Sequence, residues 1–151
     1  MLSISLNDGT GNALEIGHTI INRDETEQLP NLAKGCVEQY VSTAGILKAA
    51  QKYDLDVKEP IDVFQLAELK NEKSIAVWNE FGYNLGIALT NCIHSFDPDI
   101  IVIGGQMNQA WVYFEEAMYA AIEERSITKA PPIVRATVKE GGIVGASLLV
   151  R

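Results

Sequence analysis

The stretch "KSIAVWNEFGYNLGIALTNCIHSF" (73–96), followed by "DPDIIVIGG", constrains the fold more than any other part of the chain. Trp78, Phe81, Leu85, Ala88, Leu89, Cys92, Ile93 and Phe96 recur at the helical period, which predicts one core-facing stripe running the length of the segment. Asp97-Pro98 ends it, because the residue before a proline resists the helical region of backbone space. "DIIVIGG" (99–105) then sets Ile100, Ile101, Val102 and Ile103 in a row before two glycines. An unbroken apolar run of this kind predicts a strand covered on both faces, as in parallel sheets.

Around this pair the other elements fall into place. "LSISL" (2–6), closed by Asn-Asp-Gly, reads as a strand entering a turn, and "HTII" (18–21) as a second strand. "CVEQYVSTAGILKAAQKY" (36–53) carries Val37, Tyr40, Val41, Ala44 and Leu47 on one helical stripe. "DLDVKEP" (54–60) is a loop, and Asp62 is placed to cap the short helix "VFQLAELK". After the glycines, Trp111, Phe114, Met118, Ala121 and Ile122 form one face of a helix, with Glu115, Glu116, Glu123 and Glu124 outside. "IVRATV" (133–138) reads as a strand, and "GGIVGASLLV" fits a strand or a helix by pattern alone. Helices packed on a mixed sheet, an α/β architecture, accommodate this order. With 151 residues the chain is one domain or one lobe of a larger protein.

Charge and cysteine usage narrow the class. The net charge of −8 and the scatter of 12 Lys and Arg leave no basic patch, so nucleic acid is not an expected partner. Cys36 and Cys92 lie far apart, which favours a reducing cytoplasm over a disulfide framework. No basic start leads into a long apolar run and no apolar run is long enough to span a bilayer, so neither a signal peptide nor a membrane is expected.

Several residues have the chemistry of a site. Gly104 and Gly105, just past a buried strand, permit close backbone approach of a nucleotide, or simply make a tight turn into the next helix. They do not form a P-loop, since no Lys-Ser or Lys-Thr follows. In "NDGTG" (7–11), Gly9, Thr10 and Gly11 suit a phosphate cradle or an ordinary hairpin turn. Glu15, His18 and Glu38 offer hydrogen-bonding groups that sugar hydroxyls pair with, if one hollow gathers them. Taken singly, each is also an ordinary structural or solvated residue. His18 and Cys36 are two zinc-type ligands where zinc takes four, and His94 sits remote on the long helix. Gly82 and Gly86 share a helix face and admit either a partner subunit or a neighbouring element.

Four of these fragments, in this order and spacing, resemble the C-terminal half of the ROK family of repressors and sugar kinases. "ALEIGHTII" resembles its A-G-E-x-G-H segment and "KGCVEQYVS" the end of its C-x-C-G-x-x-G-C-x-E segment. "GIALTNCIHSFDPDIIVIGGQM" resembles the helix leading into N-P-x-x-I-V-x-G-G, and "EGGIVGASLLV" the closing A-x-x-x-G-A-A stretch. The resemblance runs from about residue 12 to 151. It implies one lobe, residues 1–151, of the actin-like ATPase (ribonuclease H-like) architecture, with the closing segment helical. It implies that Glu15, His18 and Glu38 contact a sugar. Gly104 and Gly105, with Gln106 beside them, would line an adenosine pocket, joined by Gly9, Thr10 and Gly11 if "NDGTG" is a phosphate loop. The implied activity is ATP- and Mg²⁺-dependent phosphorylation of a hexose or N-acyl hexosamine, or sugar sensing in a transcriptional regulator, with a homodimer as the assembly.

The departures carry expectations too. The family's zinc loop has three cysteines and a histidine; here the first two cysteine positions are Leu29 and Asn31, the next glycine is Leu32, and only Cys36 and His18 remain. No zinc is therefore expected, and loop 22–34 is left to packing or to mobility. The family's catalytic aspartate and its D-x-G-x-T loop belong to an N-terminal lobe that has no counterpart here. This chain by itself is therefore expected to lack catalytic residues.

Overall fold

A computed structural model describes residues 15–136. The candidate strand at 2–6, the "NDGTG" turn and the closing segment lie outside those residues. The core is built on two helices. Helix α3, Glu72–Phe96, begins at Asn71, whose side chain accepts from the Ser74 N–H at 3.1 Å, and ends at Asp97 in a left-handed conformation. Helix α4, Trp111–Arg125, lies against it. Trp78, Phe81 and Phe114 meet edge-on or tilted, with ring centroids 5.3 to 6.4 Å apart. The two backbones approach so closely that a methyl on Gly82 would sit 2.2 Å from the Phe114 carbonyl oxygen, and one on Gly86 would sit 2.4 Å from that of Met118. The paired glycines thus serve packing inside the lobe. The apolar stripe is as expected through Ile93, but Phe96, in the last turn, is exposed.

Helix α1, Thr43–Lys52, and helix α2, Pro60–Glu68, also pack on α3, and α2 reaches α4 through the Phe64–Tyr113 ring pair. The helix expected from residue 36 starts only at Thr43. Ser42 is extended (φ −151°) and accepts from the Gly45 N–H through its hydroxyl, so it caps a new helix, and residues 37–39 form a separate 3-10 turn. Asp62 is the third residue of α2 rather than its cap residue. It reaches back to accept from the Lys58 and Glu59 N–H groups at 3.0 Å each, while Pro60 opens the helix.

Strands β1, Ile101–Ile103, and β2, Ile133–Arg135, pair in parallel with Ile101 opposite Ile133, and α4 is the crossover between them. The strand at 99–105 is thus shorter than expected, and among the described residues it is not covered on both faces: Val102 is 56% exposed. A five-residue 3-10 turn, Gln106–Ala110, separates β1 from α4. On α4, Phe114, Met118, Ala121 and Ile122 are buried as expected; Trp111 is only half-buried, and its indole N–H donates to Glu115. The expected strand at 18–21 does not form: His18 ends a 3-10 turn, Ile16–His18, in which His18 and Thr19 turn their N–H groups back onto the carbonyls of Glu15 and Ile16. Only Ile20 makes a β-bridge, antiparallel to Cys36.

Candidate functional site

The turn at 15–19 and the turn at 36–40 are stitched together by backbone. Val37 N–H donates to the Thr19 carbonyl (2.9 Å), and Ile21 N–H to that of Gly35 (2.8 Å). Gly35 has φ +72°, and any side chain there would run into the Asn22 carbonyl, so glycine is required at the crossing. The stitching carries Glu38 onto the first turn. Its Cγ and Oε1 lie 2.7 and 2.8 Å from where a methyl on Gly17 would stand, over the glycine between Glu15 and His18. Glu15 and His18 are exposed on that same turn, and Glu38 is half-buried. The structure thus brings Glu38 to the Glu15–His18 segment, on an open surface rather than in an enclosed hollow. A row of acceptors and an imidazole displayed on short turns suits hydroxyl-rich ligands.

A second feature lies at the carboxyl end of β1. Gly104 and Gly105 are exposed; Gly105 has φ +98°, with open space on its side-chain face. Asn108 fixes the turn that follows, donating through Nδ2 to the Ile103 carbonyl at 2.8 Å. Beyond the glycines opens a cavity of about 540 Å³ whose wall includes Gln106 and Met107 from this turn, Thr43 from α1, and Lys58 and Phe64 at α2. Trp78 also lines it. Its indole N–H is buried with no partner among the described residues, so a donor stands uncompensated beside the cavity. Ligands of open α/β sheets bind beyond strand carboxyl ends, and a cavity of this size, lined by both apolar and polar side chains, is of ligand dimensions.

Of the residues that the sequence singles out, Gln106 lines the cavity and Gly104 and Gly105 stand just before it in the chain; Thr43, Lys58 and Phe64 are not among them. No local motif marks them, since they come to the glycine turn only through the packing of α1 and α2 on α3. His94, on the far part of α3, is exposed and accepts from the Ile127 N–H through Nε2 (3.2 Å), which is a structural role. Gly9, Thr10 and Gly11 lie outside the described residues.

The residues of loop 22–34 do not fit a zinc ion. At the two positions where the resemblance expects thiolates stand an aliphatic side chain, Leu29, and an amide, Asn31. The loop's nearby carboxylates are engaged elsewhere: Lys48 Nζ lies 2.6 Å from Glu25 Oε2 and 2.9 Å from Glu27 Oε2.

The model of the ROK family matches residues 5–151. The chain belongs to the ROK family. It is 28% identical over 146 residues to an N-acetyl-D-glucosamine kinase of Photobacterium profundum, covering 89% of this chain and 48% of that protein. It is 34% identical over 70 residues to a xylose repressor of Bacillus spizizenii, covering 46% of this chain and 18% of the repressor. The crystal structure of a ROK family glucokinase from Streptomyces griseus, in complex with glucose and AMPPNP, superposes with a TM-score of 0.80 at 19% identity, over 91% of this chain and 51% of that one. The fold is thus the expected α/β fold of actin-like ATPase type. The chain spans about half the length of the kinases it matches. Among the described residues no helix is long and apolar enough to cross a membrane.

Proposed function

We propose that this chain is the sugar- and nucleotide-binding C-terminal lobe of a ROK-type carbohydrate kinase, which phosphorylates a hexose or N-acyl hexosamine with ATP and Mg²⁺. The observation that carries the reading is the cavity at the glycine turn after β1, in a lobe that also displays Glu15, His18 and Glu38 on adjoining turns. Phe64 and Met107 give the cavity an apolar wall for a purine ring, and Thr43, Gln106 and Lys58 give it polar groups for ribose and phosphate. Gly104 and Gly105 leave the backbone open to close approach. The Glu15 and Glu38 carboxylates would accept from the sugar hydroxyls, the His18 imidazole would add one more hydrogen bond, and together they would fix the ring for in-line attack. Positioning is the larger part of catalysis in phosphoryl transfer. Mg²⁺ would arrive with the nucleotide and neutralise charge on its phosphates. The proton acceptor is proposed to lie outside this chain, so residues 1–151 alone would bind without turnover. Two free, buried cysteines suit a reducing cytoplasm, and a homodimer is the proposed assembly.

A second reading, a non-catalytic sugar sensor in a transcriptional regulator, draws on the likeness to the xylose repressor. Calorimetric titration of the intact protein with a panel of hexoses and N-acyl hexosamines, followed by an ADP-release assay, separates the two. The kinase reading expects one sugar to bind, ATP to be turned over in its presence, and Glu38→Gln to weaken that sugar at least about tenfold, the loss of one charged hydrogen bond. Sugar binding without turnover favours the sensor. A protein that binds none of the panel, or whose Glu38→Gln variant binds unchanged, overturns the site.

A further inference from the structure

We propose that loop 22–34 is fastened by a polar clasp in which Gln39, Tyr40 and Lys48 grip Asn22, Glu25 and Glu27, and that Gln39 and Lys48 are positioning residues for Glu38. The last clause rests on the sugar-site reading above. The clasp itself does not.

Gln39 is the centre. It is fully buried (0% exposed), yet both ends of its amide are satisfied. Oε1 accepts from the Gly35 N–H at 2.5 Å, and Nε2 donates to the Glu27 carbonyl at 2.9 Å. One side chain therefore spans both limbs of the loop, a role that an apolar residue of the same size cannot take. Next to it, Tyr40 donates its hydroxyl to Glu25 Oε2 (2.7 Å) and accepts from Asn22 Nδ2 (2.9 Å). Lys48, on the first turns of α1, closes the set on Glu25 and Glu27 and lies 5.4 Å from the centre of the Tyr40 ring. The Glu27 N–H caps the other Glu25 oxygen at 2.9 Å.

The titration of these groups agrees with the geometry. The Glu25 carboxyl is held down to about 2, by the Lys48 hydrogen bond first, then Tyr40, then the Glu27 N–H. Burial and then the Glu25 hydrogen bond push the Tyr40 phenol up to about 12. Burial works against the charge of Lys48, but its bonds to Glu25 and Glu27 together outweigh it and raise its pKa.

Glu38 stands in the grip of this arrangement. Gln39 follows it directly and is anchored to the loop, and the 3-10 turn Val37–Gln39 is closed by the Gln39 and Tyr40 N–H groups donating to the Cys36 and Val37 carbonyls. Release of Gln39 or Lys48 frees that turn and lets the Glu38 carboxylate leave its place over Gly17. A loop whose metal-ligand positions hold Leu29 and Asn31 thus has a replacement fastening made of charge and amide.

The test is hydrogen exchange by mass spectrometry on the intact protein, with Gln39→Leu, Lys48→Met and Lys48→Arg variants, alongside sugar titration. Lys48→Met is included because its site is partly exposed and survives even if Gln39→Leu does not fold. The clasp expects protection of peptides within 22–35 to fall by about tenfold in Gln39→Leu and Lys48→Met, in line with one or two lost partners of a buried group. Lys48→Arg restores most of it. Incubation with 1,10-phenanthroline leaves protection and sugar affinity unchanged. Unaltered protection in both loss variants, or its collapse on chelation, overturns the clasp. If protection falls while sugar affinity holds, and Glu38→Gln abolishes sugar binding, the positioning role is wrong. If Glu38→Gln itself leaves sugar binding intact, the functional reading fails and the exchange data still judge the clasp.

Discussion

The α3–α4 pair and the arm from Glu15 to Ser42 are held by different forces. Between the helices, interlocked aromatic rings and glycine-to-backbone contacts exclude water, and the attraction is non-directional. In the arm, few residues are deeply buried, and order comes from side chains that bond to backbone and to each other across the loop. Packing fixes distance between elements, whereas directional bonds fix orientation. Holding the Glu38 carboxylate over Gly17, on a surface open to water, takes the second kind.

The same small substitution at one glycine in each region separates these modes most sharply. Gly82→Ala gains about 1 kcal/mol of helix propensity. The added methyl, however, meets main chain at Phe114, which has nowhere to go, so a net loss of about 2 kcal/mol is expected from the overpacked crossing. Gly17→Ala meets the Glu38 side chain, from Cγ to the carboxylate, and no main chain among its nearest contacts. Stability should fall by less than about 1 kcal/mol, the range for a site that adjusts by rotamer, while sugar affinity drops because the carboxylate is displaced. Urea unfolding and titration of both variants decide the matter. Equal stability losses at the two sites would remove the distinction between them.

The two regions also differ in how far the amino-acid order reveals them. Periodicity marks α3 and α4 because the stripe of Trp78, Phe81, Leu85 and Leu89 is itself the cause of the packing. The arm has no such period. Val37, Tyr40 and Val41 fit a helical stripe by spacing, but Ser42 takes an extended conformation and caps α1 instead. "HTII" has strand composition, yet Glu15 and Ile16 accept from the turn that follows them. Of the candidate site, Glu15, His18 and Glu38 have the chemistry for a polyol but are singly ordinary residues, and only the resemblance groups them; the contact of Glu38 with the 15–18 turn depends on Gly35, whose positive φ no pattern announces. The cavity wall from Thr43, Lys58 and Phe64 is invisible in sequence because α1 and the start of α2, separated along the chain, supply it together. The clasp is hidden for a like reason: Gln39, Tyr40 and Lys48 look like ordinary polar residues until the loop folds against them.

Acid should loosen the arm before the helices. The Glu25 carboxyl titrates lower in the folded chain, near 2, than its ordinary value of 4.5. Its contribution is therefore complete above the unfolded value and disappears as pH falls from about 4.5 towards 2. Being partly exposed, it is expected to be worth about 1 kcal/mol, the upper end for such ion pairs. Hydrogen exchange across this window should show peptides of 22–35 losing protection while those of α3 keep theirs. In Glu25→Gln the local acid transition should be absent. Simultaneous loss across both regions would mean that the arm has no separate equilibrium.

Ser42 is the joint between the two regimes, and it carries the smallest expected effect. Its hydroxyl accepts from Gly45 N–H at 3.2 Å, and a methyl on Gly45 would collide with the Tyr40 carbonyl, so the first turn of α1 sits directly on the end of the arm. Ser42→Ala removes the cap alone and should cost about 0.5–1 kcal/mol. If the arm relies on its own bonds, the loss appears as faster exchange confined to Thr43–Ile46, with 22–35 unchanged because Lys48 lies one turn further along. Faster exchange spreading back into 22–35 would show instead that the clasp borrows its rigidity from the helix.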